Sequence, residues 1–343
     1  MQISEISLDY SFASMHQEGM WVASQLNPHP AIYNIAWSIE FNGLVPSSQK
    51  IQETVCRIAQ RHDSFRSVFI MGETRLTRKI SHRDTVDLVI RSVAQESRLE
   101  FEKRVEAFGL EPFDLENGPL FRFELLQYPQ QKSVLVCCFH HLVMDGSSWT
   151  LFEKEVWHYL NSNEDLLPPA SYTHFAAWQK ERQYSQDWKK AAGYWQAQLK
   201  PHPIAWDLVT NHHPLTAASP LEDGKLVRAL GIEQSQQLRH CAKELQTTPF
   251  RLALSAFSLL MGLYSHQEKF LLETTLVGKS CPDFKETIGL FVNSAYLDVD
   301  LTKAPSFREL LAELSNQLER AIDYQEIPSV SYTHLTLPTK RIV

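Results

Sequence analysis

The chain has 343 residues, enough for two domains, and 43% of them are hydrophobic and 21% charged, which excludes a disordered protein. The formal net charge of −7 and the pI near 6.1 give no electrostatic case for binding nucleic acid. No apolar run reaches the length of a membrane span, so we expect no membrane segment.

The first half of the chain alternates between strand and helix patterns. Apolar runs at 31–41 and 133–139 predict strands, and helical periodicity at 49–62 and 147–160 predicts helices. An alternation of this kind is typical of an α/β lobe.

Two proline-rich stretches, 161–172 and 200–224, predict linkers. Between them, over residues 175–199, tryptophans and tyrosines are interleaved with charged residues. This pattern predicts a helix with one packed face.

The alternation resumes after the second linker. Helices are predicted at 233–245, 250–266 and 306–325, and a strand is predicted at 269–278. Ser306 stands where it can cap the last of these helices. Two α/β lobes of similar size are the simplest account of the whole pattern.

The cysteines and the N-terminus indicate the compartment. Five cysteines are scattered without a CxxC pair, and their odd number and apolar settings predict free thiols in a reducing environment. The N-terminus carries Glu5 and Asp9 and lacks the basic start and apolar core of a signal peptide. We therefore expect a cytoplasmic protein.

The string CCFHHLVMDGSSW, residues 137–149, holds the strongest candidates for chemistry. An apolar strand ends there in His140 and His141, and strand alternation sends the two rings to opposite sides, so that at most one faces a shared cleft. A histidine titrates near neutrality and can accept a proton at working pH. The alternative is a core histidine that is satisfied by a backbone partner.

The residues that follow predict a tight turn and the start of a helix. Gly146 permits a turn conformation that other residues resist, and Ser147 or Ser148 can cap the helix. The free backbone N–H groups at the helix start suit a developing oxyanion. Asp145 can orient the histidine ring or brace the loop against a cation.

A metal site at this string is not expected. His141 and Asp145 have helical spacing, but Gly146 breaks the segment, and no third or fourth ligand is evident. A second pair, His212 and His213, lies in the proline-rich linker, where we expect it to be solvated.

The segment HHLVMDG fits the pattern HHxxxDG, and other motifs accompany it in the order of a known family. They are SFASMHQEGMWVASQLNPHPAIYNI (11–35), RHDSFRSVF (61–69), SYTHFAAWQ (171–179), IGLFVNSAYLDVDL (288–301) and YQEIP (324–328). With this ordered set the sequence resembles the condensation domains of nonribosomal peptide synthetases, within the chloramphenicol-acetyltransferase-like superfamily.

The resemblance implies an α/β fold with two acetyltransferase-like lobes in a V arrangement, at 1–172 and 173–330, the second incomplete. Carrier proteins would deliver a donor acyl thioester and an acceptor amine to the two mouths of a channel between the lobes, where an amide forms. The phosphopantetheine arms belong to the carriers, so the domain would bind no cofactor itself. The full-length chain would also contain an adenylation domain.

The resemblance also implies roles for particular residues. His141 would be catalytic, taking or positioning the amine proton, and Gly146 would present a backbone N–H to the oxyanion. The remaining motif residues would have structural roles: His140, Asp145, Arg66 and Asn293. Arg66 is as well explained by a cation that stabilises the lobe as by a catalytic one.

Two departures from the family pattern concern the site. The order DGSSW replaces the commoner DGWS, so that Ser147 stands where a bulky residue is usual and Trp149 moves onto the helix. Lys279 follows Gly278 where the family often has arginine. Because lysine cannot replace a bidentate guanidinium, an ion pair from this position to Asp145 would be weaker.

The last residues, SYTHLTLPTKRIV (331–343), match nothing expected of the family. We interpret them as an artefactual tail, with the natural sequence ending near Ser329 or Val330. The second lobe would then lack strands and expose apolar surface.

Three other functions share the motif. A stand-alone acyltransferase could esterify an alcohol or use coenzyme A, although the flanking motifs argue against it. A noncatalytic module could use the same fold to recruit a partner. An epimerisation domain has the same site, but its further glutamate-containing motif is not evident here.

Overall fold

The computed structural model describes residues 10–43, 45–73, 75–81, 86–129, 131–199 and 226–328. The chain divides into two compact units. The first comprises Met1–Ser185 and Val277–Val292, and the second comprises Gln186–Leu276 and Asn293–Val343. Within the described residues, no helix is long and apolar enough to cross a membrane.

The first unit contains seven described strands and five described helices. In chain order they are β1 (Tyr10–Phe12), α1 (Met15–Leu26), β2 (Asn34–Asn42), α2 (Ser48–Arg61), β3 (Ser67–Met71), β4 (Leu76–Ile80), β5 (Leu88–Ser92), α3 (Arg98–Gly109), β6 (Phe121–Tyr128), β7 (Lys132–His140), α4 (Gly146–Asn161) and α5 (Tyr172–Arg182).

These strands form two sheets. The larger has the order β2-β7-β6-β5, with β5 and β6 parallel and the other pairs antiparallel, and the smaller has the order β1-β4-β3. Strand β7 lies inside the larger sheet, and every residue from Ser133 to His140 is buried. Burial on both faces explains why β7 reads as an unbroken apolar run in the sequence.

Helices cover both faces of the larger sheet. Helices α2 and α4 pack on one face, where Phe139 and Phe152 lie in the main core cluster. On the other face, Phe101, Val105 and Phe108 of α3 pack against a smaller buried cluster. The two layers hold the C-terminal end of β7 between the helices.

The second unit contains α6 (Gln186–Gln198), α7 (Ile232–Glu244), α8 (Pro249–Ser265), β8 (Lys269–Leu276), β9 (Asn293–Asp300) and α9 (Phe307–Asp323). Strands β8 and β9 pair antiparallel, and apolar residues of α8 and α9 pack against them. Ser306 caps α9 and forms a capping box with Glu309, which confirms the predicted cap.

Most of the predicted elements are present within a few residues of their expected bounds. The four elements predicted before residue 161 are β2, α2, β7 and α4, and those predicted after residue 233 are α7, α8, β8 and α9. The predicted helix over 175–199 is wrong as a single element, because a turn after Arg182 divides it into α5 and α6.

The division into units differs from the expected boundary at residue 172. Helix α5 packs with the first unit, because Asp63 accepts hydrogen bonds from the backbone N–H groups of Tyr172 (2.9 Å) and Thr173 (3.0 Å). The later segment Val277–Val292 also belongs to the first unit. The linker predicted at 200–224 and the tail predicted at 331–343 lie outside the described residues.

Candidate active site

His140 ends β7 and is almost completely buried. Its Nδ1 accepts a hydrogen bond from the Leu142 N–H (3.2 Å), and its ring meets Phe113 edge to face, with 6.4 Å between centroids. Burial, and secondarily the neighbouring His141, lowers the pKa of His140 to about 3. The ring is therefore neutral at ordinary pH, which suits a structural role better than proton transfer.

His141 lies in the turn after β7 and is partly exposed. Its backbone N–H donates to the Tyr33 carbonyl (2.8 Å), which continues the pairing of β7 with the β2 side of the sheet by one residue. Its buried Nδ1 has no hydrogen-bond partner among the described residues. The Nε2 of His140 also lacks a partner among the described residues, so the two histidines differ in exposure, and only His141 is partly exposed.

Asp145 is fully buried and joins two parts of the first unit. Its Oδ1 accepts hydrogen bonds from the Ser148 N–H (2.8 Å) and the Ser147 hydroxyl (2.8 Å), so Asp145 is the N-cap of α4. Its Oδ2 accepts from the backbone N–H groups of Phe291 (2.7 Å) and Val292 (2.9 Å). The prediction that Ser147 or Ser148 caps the helix is therefore wrong.

The expected ion-pair brace of Asp145 is also replaced by another arrangement. Lys279 Nζ donates to the Thr287 carbonyl (2.8 Å) and lies 4.9 Å from the centre of the Phe291 ring. No ion pair reaches Asp145 within the described part of the chain. Four N–H and O–H donors satisfy this carboxylate, and Lys279 makes no direct bond to it.

Ser148 ties the start of α4 to the returning segment. Its hydroxyl donates to the Gly289 carbonyl (2.9 Å) and accepts from the Gly289 N–H (3.1 Å). Tyr172 adds a hydrogen bond from its hydroxyl to the Leu290 carbonyl (2.5 Å). A Cβ on Gly289 would lie 2.0 Å from the Tyr172 ring, so this close approach requires glycine.

Gly146 is the first residue of α4 and is exposed. Its backbone is not in the left-handed region, and a Cβ added there would meet no atom within 4 Å. The prediction that the turn itself requires this glycine is therefore wrong. The N–H groups of Gly146 and Ser147 belong to the first helical turn, where no intrahelical acceptor is available. They are therefore available to an acceptor outside the helix.

Sequence reasoning missed a third histidine of this region, His16 in the first turn of α1. The ring is buried, its Nδ1 lies 3.0 Å from Gln179 Nε2, and its buried Nε2 has no partner among the described residues. Burial lowers the pKa of His16 to about 4 against the opposing charge of Asp145. Its position inside the motif at 11–35 is the only sequence signal that could have singled it out.

Arg66 does not supply the buried cation of its motif. It is partly exposed, and its buried Nε has no hydrogen-bond partner among the described residues. The buried cation is Arg78 of β4, whose Nη2 lies 2.9 Å from Asp63 Oδ2. Burial alone would raise the pKa of Asp63, but Arg78 and the Tyr172 N–H outweigh it and hold that pKa at about 2.

Asn293 begins β9 in the second unit and is buried. Its side-chain amide donates to the carbonyls of Gln325 (2.9 Å) and Ile327 (2.6 Å), and its Oδ1 accepts from the Ser294 N–H (2.9 Å). These bonds connect the start of β9 to the residues after α9. The contacts of Asn293 are those of a structural residue.

Metal ligation has no support in the side-chain geometry. Throughout the described ranges, no group of three or more histidine, cysteine, aspartate or glutamate side chains is arranged to hold an ion.

The family model for the condensation domain matches residues 9–339, and the chain belongs to this family. Among curated relatives, bacitracin synthase 1 of Bacillus licheniformis is 27% identical over 93% of this chain and 6% of its own length. Phosphinothricin tripeptide synthetase PhsC of Streptomyces viridochromogenes is 28% identical over 92% of this chain and 30% of its own length. The chain thus spans less than a third of either relative.

Solved structures share the fold. The condensation domain of the monacolin K polyketide synthase MokA has a TM-score of 0.82 at 17% identity, covering 96% of this chain and 76% of that one. The first condensation domain of the calcium-dependent antibiotic synthetase, solved with a substrate analogue, has a TM-score of 0.82 at 16% identity, covering 96% and 79%. These matches confirm the predicted α/β, chloramphenicol-acetyltransferase-like fold.

Proposed function

We propose that this domain forms an amide bond between a donor acyl or peptidyl thioester and the amine of an aminoacyl acceptor. The observation that carries the proposal is the position of His141. This partly exposed histidine, with an unsatisfied ring nitrogen, follows directly on a buried strand and precedes by five residues the N–H groups at the start of α4.

In the proposed reaction the acceptor nitrogen attacks the thioester carbonyl carbon, and a C–N bond forms while the carbonyl oxygen becomes an oxyanion. The N–H groups of Gly146 and Ser147 stabilise this oxyanion, since the helix start presents them without intrahelical acceptors. His141 holds the proton that the nitrogen loses. Collapse of the intermediate breaks the C–S bond, and the departing thiolate takes up that proton.

Asp145 positions these groups without taking part in the chemistry. Its hydrogen bonds fix the first turn of α4 to the backbone of Phe291 and Val292. Preorganised donors need no rearrangement as charge develops, which is the main source of oxyanion stabilisation. His140 supports the same turn through its bond to the Leu142 N–H.

Carrier domains would present both substrates on phosphopantetheine arms, so the domain needs no cofactor of its own, and an adenylation domain would load the acceptor. Two observations support these partners. The curated relatives are synthases and synthetases much longer than the matched region. A chain of the same fold belongs to a four-domain nonribosomal peptide synthetase solved with AMP and glycine, with a TM-score of 0.82 at 20% identity. Five free cysteines are consistent with a reducing, cytoplasmic compartment.

The test is amide formation with purified protein, a donor thioester and an aminoacyl thioester, both loaded on carrier proteins and followed by mass spectrometry. We expect His141→Ala to lower the rate by about 10²-fold or more, the range of a lost proton-transfer group. His158→Ala is the matched control, because His158 lies near the other end of α4. Equal rates for the wild type and His141→Ala would refute the mechanism.

An alcohol acceptor is the second candidate. SgcC5 of Streptomyces globisporus, solved with an aryl ethanediol, shares the fold with a TM-score of 0.78 at 18% identity, covering 94% of this chain and 75% of that one. The same groups at His141 and α4 would serve an attacking oxygen. An amine and an alcohol acceptor of equal size, offered together, distinguish the two functions by the mass of the product.

A further inference from the structure

A row of side chains on the edge strand β2 leads away from the candidate site. Ile35, Trp37, Ile39 and Phe41 alternate onto one face of the larger sheet, where Trp37 is paired with Cys137 and Ile35 with Phe139. Ile39 and Phe41 are fully buried, whereas Ile35 and Trp37 are only partly covered. The row therefore opens to solvent towards the end of the sheet that carries His141.

His141 belongs to the same face of the sheet. Its N–H bond to Tyr33 continues the ladder past the end of β7, so alternation directs its side chain to the side on which Phe139 lies. Residue 33 is four positions from Trp37, which corresponds to about 13 Å along the strand. The open end of the apolar row thus begins next to the proposed reaction centre.

Helix α4 covers this end of the row only in part. Its first two residues, Gly146 and Ser147, are small, and the space beside Gly146 is empty. One turn later Trp149 stacks on Trp37, with 4.8 Å between ring centroids and 22° between planes. Trp149 also stacks on Phe152, with 5.5 Å between centroids and 26° between planes. Trp37 and Trp149 are both only partly buried, so the two indoles form an apolar wall that the core covers only in part.

We propose that the stacked pair Trp37 and Trp149 binds the apolar group of the donor acyl chain and makes the domain selective for aromatic or long aliphatic donors. This inference rests on the proposed function. The donor is assigned because the proposed mechanism places its carbonyl oxygen at the N–H groups of Gly146 and Ser147, and Trp149 follows two residues later on the same helix. An apolar substituent on the donor carbonyl then extends along the wall, where indole faces provide large contact area at low entropic cost.

Packing alone is the competing explanation, and α4 contains a matched control. Trp157 lies two turns further along the helix, about 12 Å from Trp149 along its axis, and packs edge to face on Phe41 with 5.4 Å between centroids. Both tryptophans attach the same helix to the same edge strand. Only Trp149 lies beside the candidate site.

The experiment compares two donors in competition, the 3-phenylpropanoyl and acetyl thioesters of N-acetylcysteamine, with one aminoacyl thioester as acceptor. We expect the wild type to favour the phenylpropanoyl donor and Trp149→Ala to reduce this preference about tenfold, the effect of losing one aromatic contact. Trp157→Ala should leave the ratio of products unchanged. Equal changes in both variants, or no change in either, would overturn the proposal.

Two further measurements keep the outcome decisive. If Trp149→Ala does not fold, as judged by circular dichroism, Trp149→Leu retains apolar bulk and should still lose preference for the aryl donor over an octanoyl donor. If the wild type forms no amide with any donor, the proposed function fails. Titration calorimetry of the two thioesters then measures directly whether the Trp37 and Trp149 wall binds the acyl group. The wall is supported only if Trp149→Ala, and not Trp157→Ala, reduces the ratio of their affinities.

Discussion

At the scale of one residue, Gly146 is a glycine that the fold itself does not require. Neither a left-handed backbone nor a neighbouring atom requires glycine there. Gly278, with φ of 74° and a Cβ position 1.6 Å from the Phe291 carbonyl oxygen, and Gly289 against Tyr172 are, by contrast, positions that do require glycine. The space beside Gly146 is open, so the proposed mechanism can be tested by filling it.

Replacing this glycine separates stability from activity. We expect Gly146→Ala to leave the free energy of unfolding unchanged or to raise it by about 0.4–1 kcal/mol, because alanine restricts the unfolded chain. Amide formation should fall about tenfold or more, since a methyl group would occupy the space of the reacting carbonyl. Chemical denaturation and product formation measure the two effects.

Gly193→Ala is the control for this prediction. Gly193 lies inside α6, and a Cβ there also meets no atom within 4 Å. The control should be as stable as the wild type or more stable, and fully active. Undiminished activity of Gly146→Ala would show that the space is not used.

At the scale of elements, the ion pair of Asp63 and Arg78 joins three of them. Asp63 lies in the 3₁₀ turn after α2, Arg78 lies in β4, and Asp63 also caps the start of α5. Arg78 is fully buried and donates further hydrogen bonds to Ser67 (2.8 Å) and Thr173 (2.7 Å). Removing one partner of such a pair lowers the stability of the fold strongly, because the charge of the other partner stays buried without compensation.

Removal of one partner should therefore be strongly destabilising. We expect Arg78→Met to lower the free energy of unfolding by about 3–5 kcal/mol, measured by urea denaturation. Arg66→Met, which removes a partly exposed arginine of the neighbouring turn, should cost much less. If Arg66→Met lost more unfolding free energy than Arg78→Met, the stabilising cation would be Arg66, as the sequence motif indicated.

At the scale of the whole molecule, buried neutral histidines make stability depend on pH. The pKa of His16 is about 4 and that of His140 about 3 in the folded protein, both below the ordinary value of 6.5. The unfolded chain therefore binds more protons below pH 6.5, so stability falls as the pH decreases from 6.5 towards 4. Asp63, with a pKa of about 2, contributes a loss only at lower pH.

This loss can be assigned by substitution. We expect the urea midpoint of the wild type to fall between pH 6.5 and pH 4.5, and to fall less in His16→Gln, whose amide cannot take up a proton. His174→Gln, at an exposed position on α5, should follow the wild type. An identical pH dependence in all three proteins would contradict the role of His16.

The local sequence pattern was sufficient to predict several elements of this protein. β7 and α4 were predicted almost to the residue, because burial on both faces gives an unbroken apolar run and a packed helix face repeats every 3.6 residues. The break between α5 and α6 was missed because tryptophans and charges continue through it. The motif order alone led to the family, and the match over residues 9–339 confirms it.

The sequence by itself determined several strands and helices, among them β2, β7, α2 and α4, and the short string that holds the candidate chemistry, since these depend on neighbours in the chain. The tertiary structure alone decided the partners. Asp145 is held by Phe291 and Val292, Asp63 is paired with Arg78 and caps α5, and Trp149 stacks on Trp37. Contacts between such distant positions leave no periodic trace, because they exist only after the chain has folded.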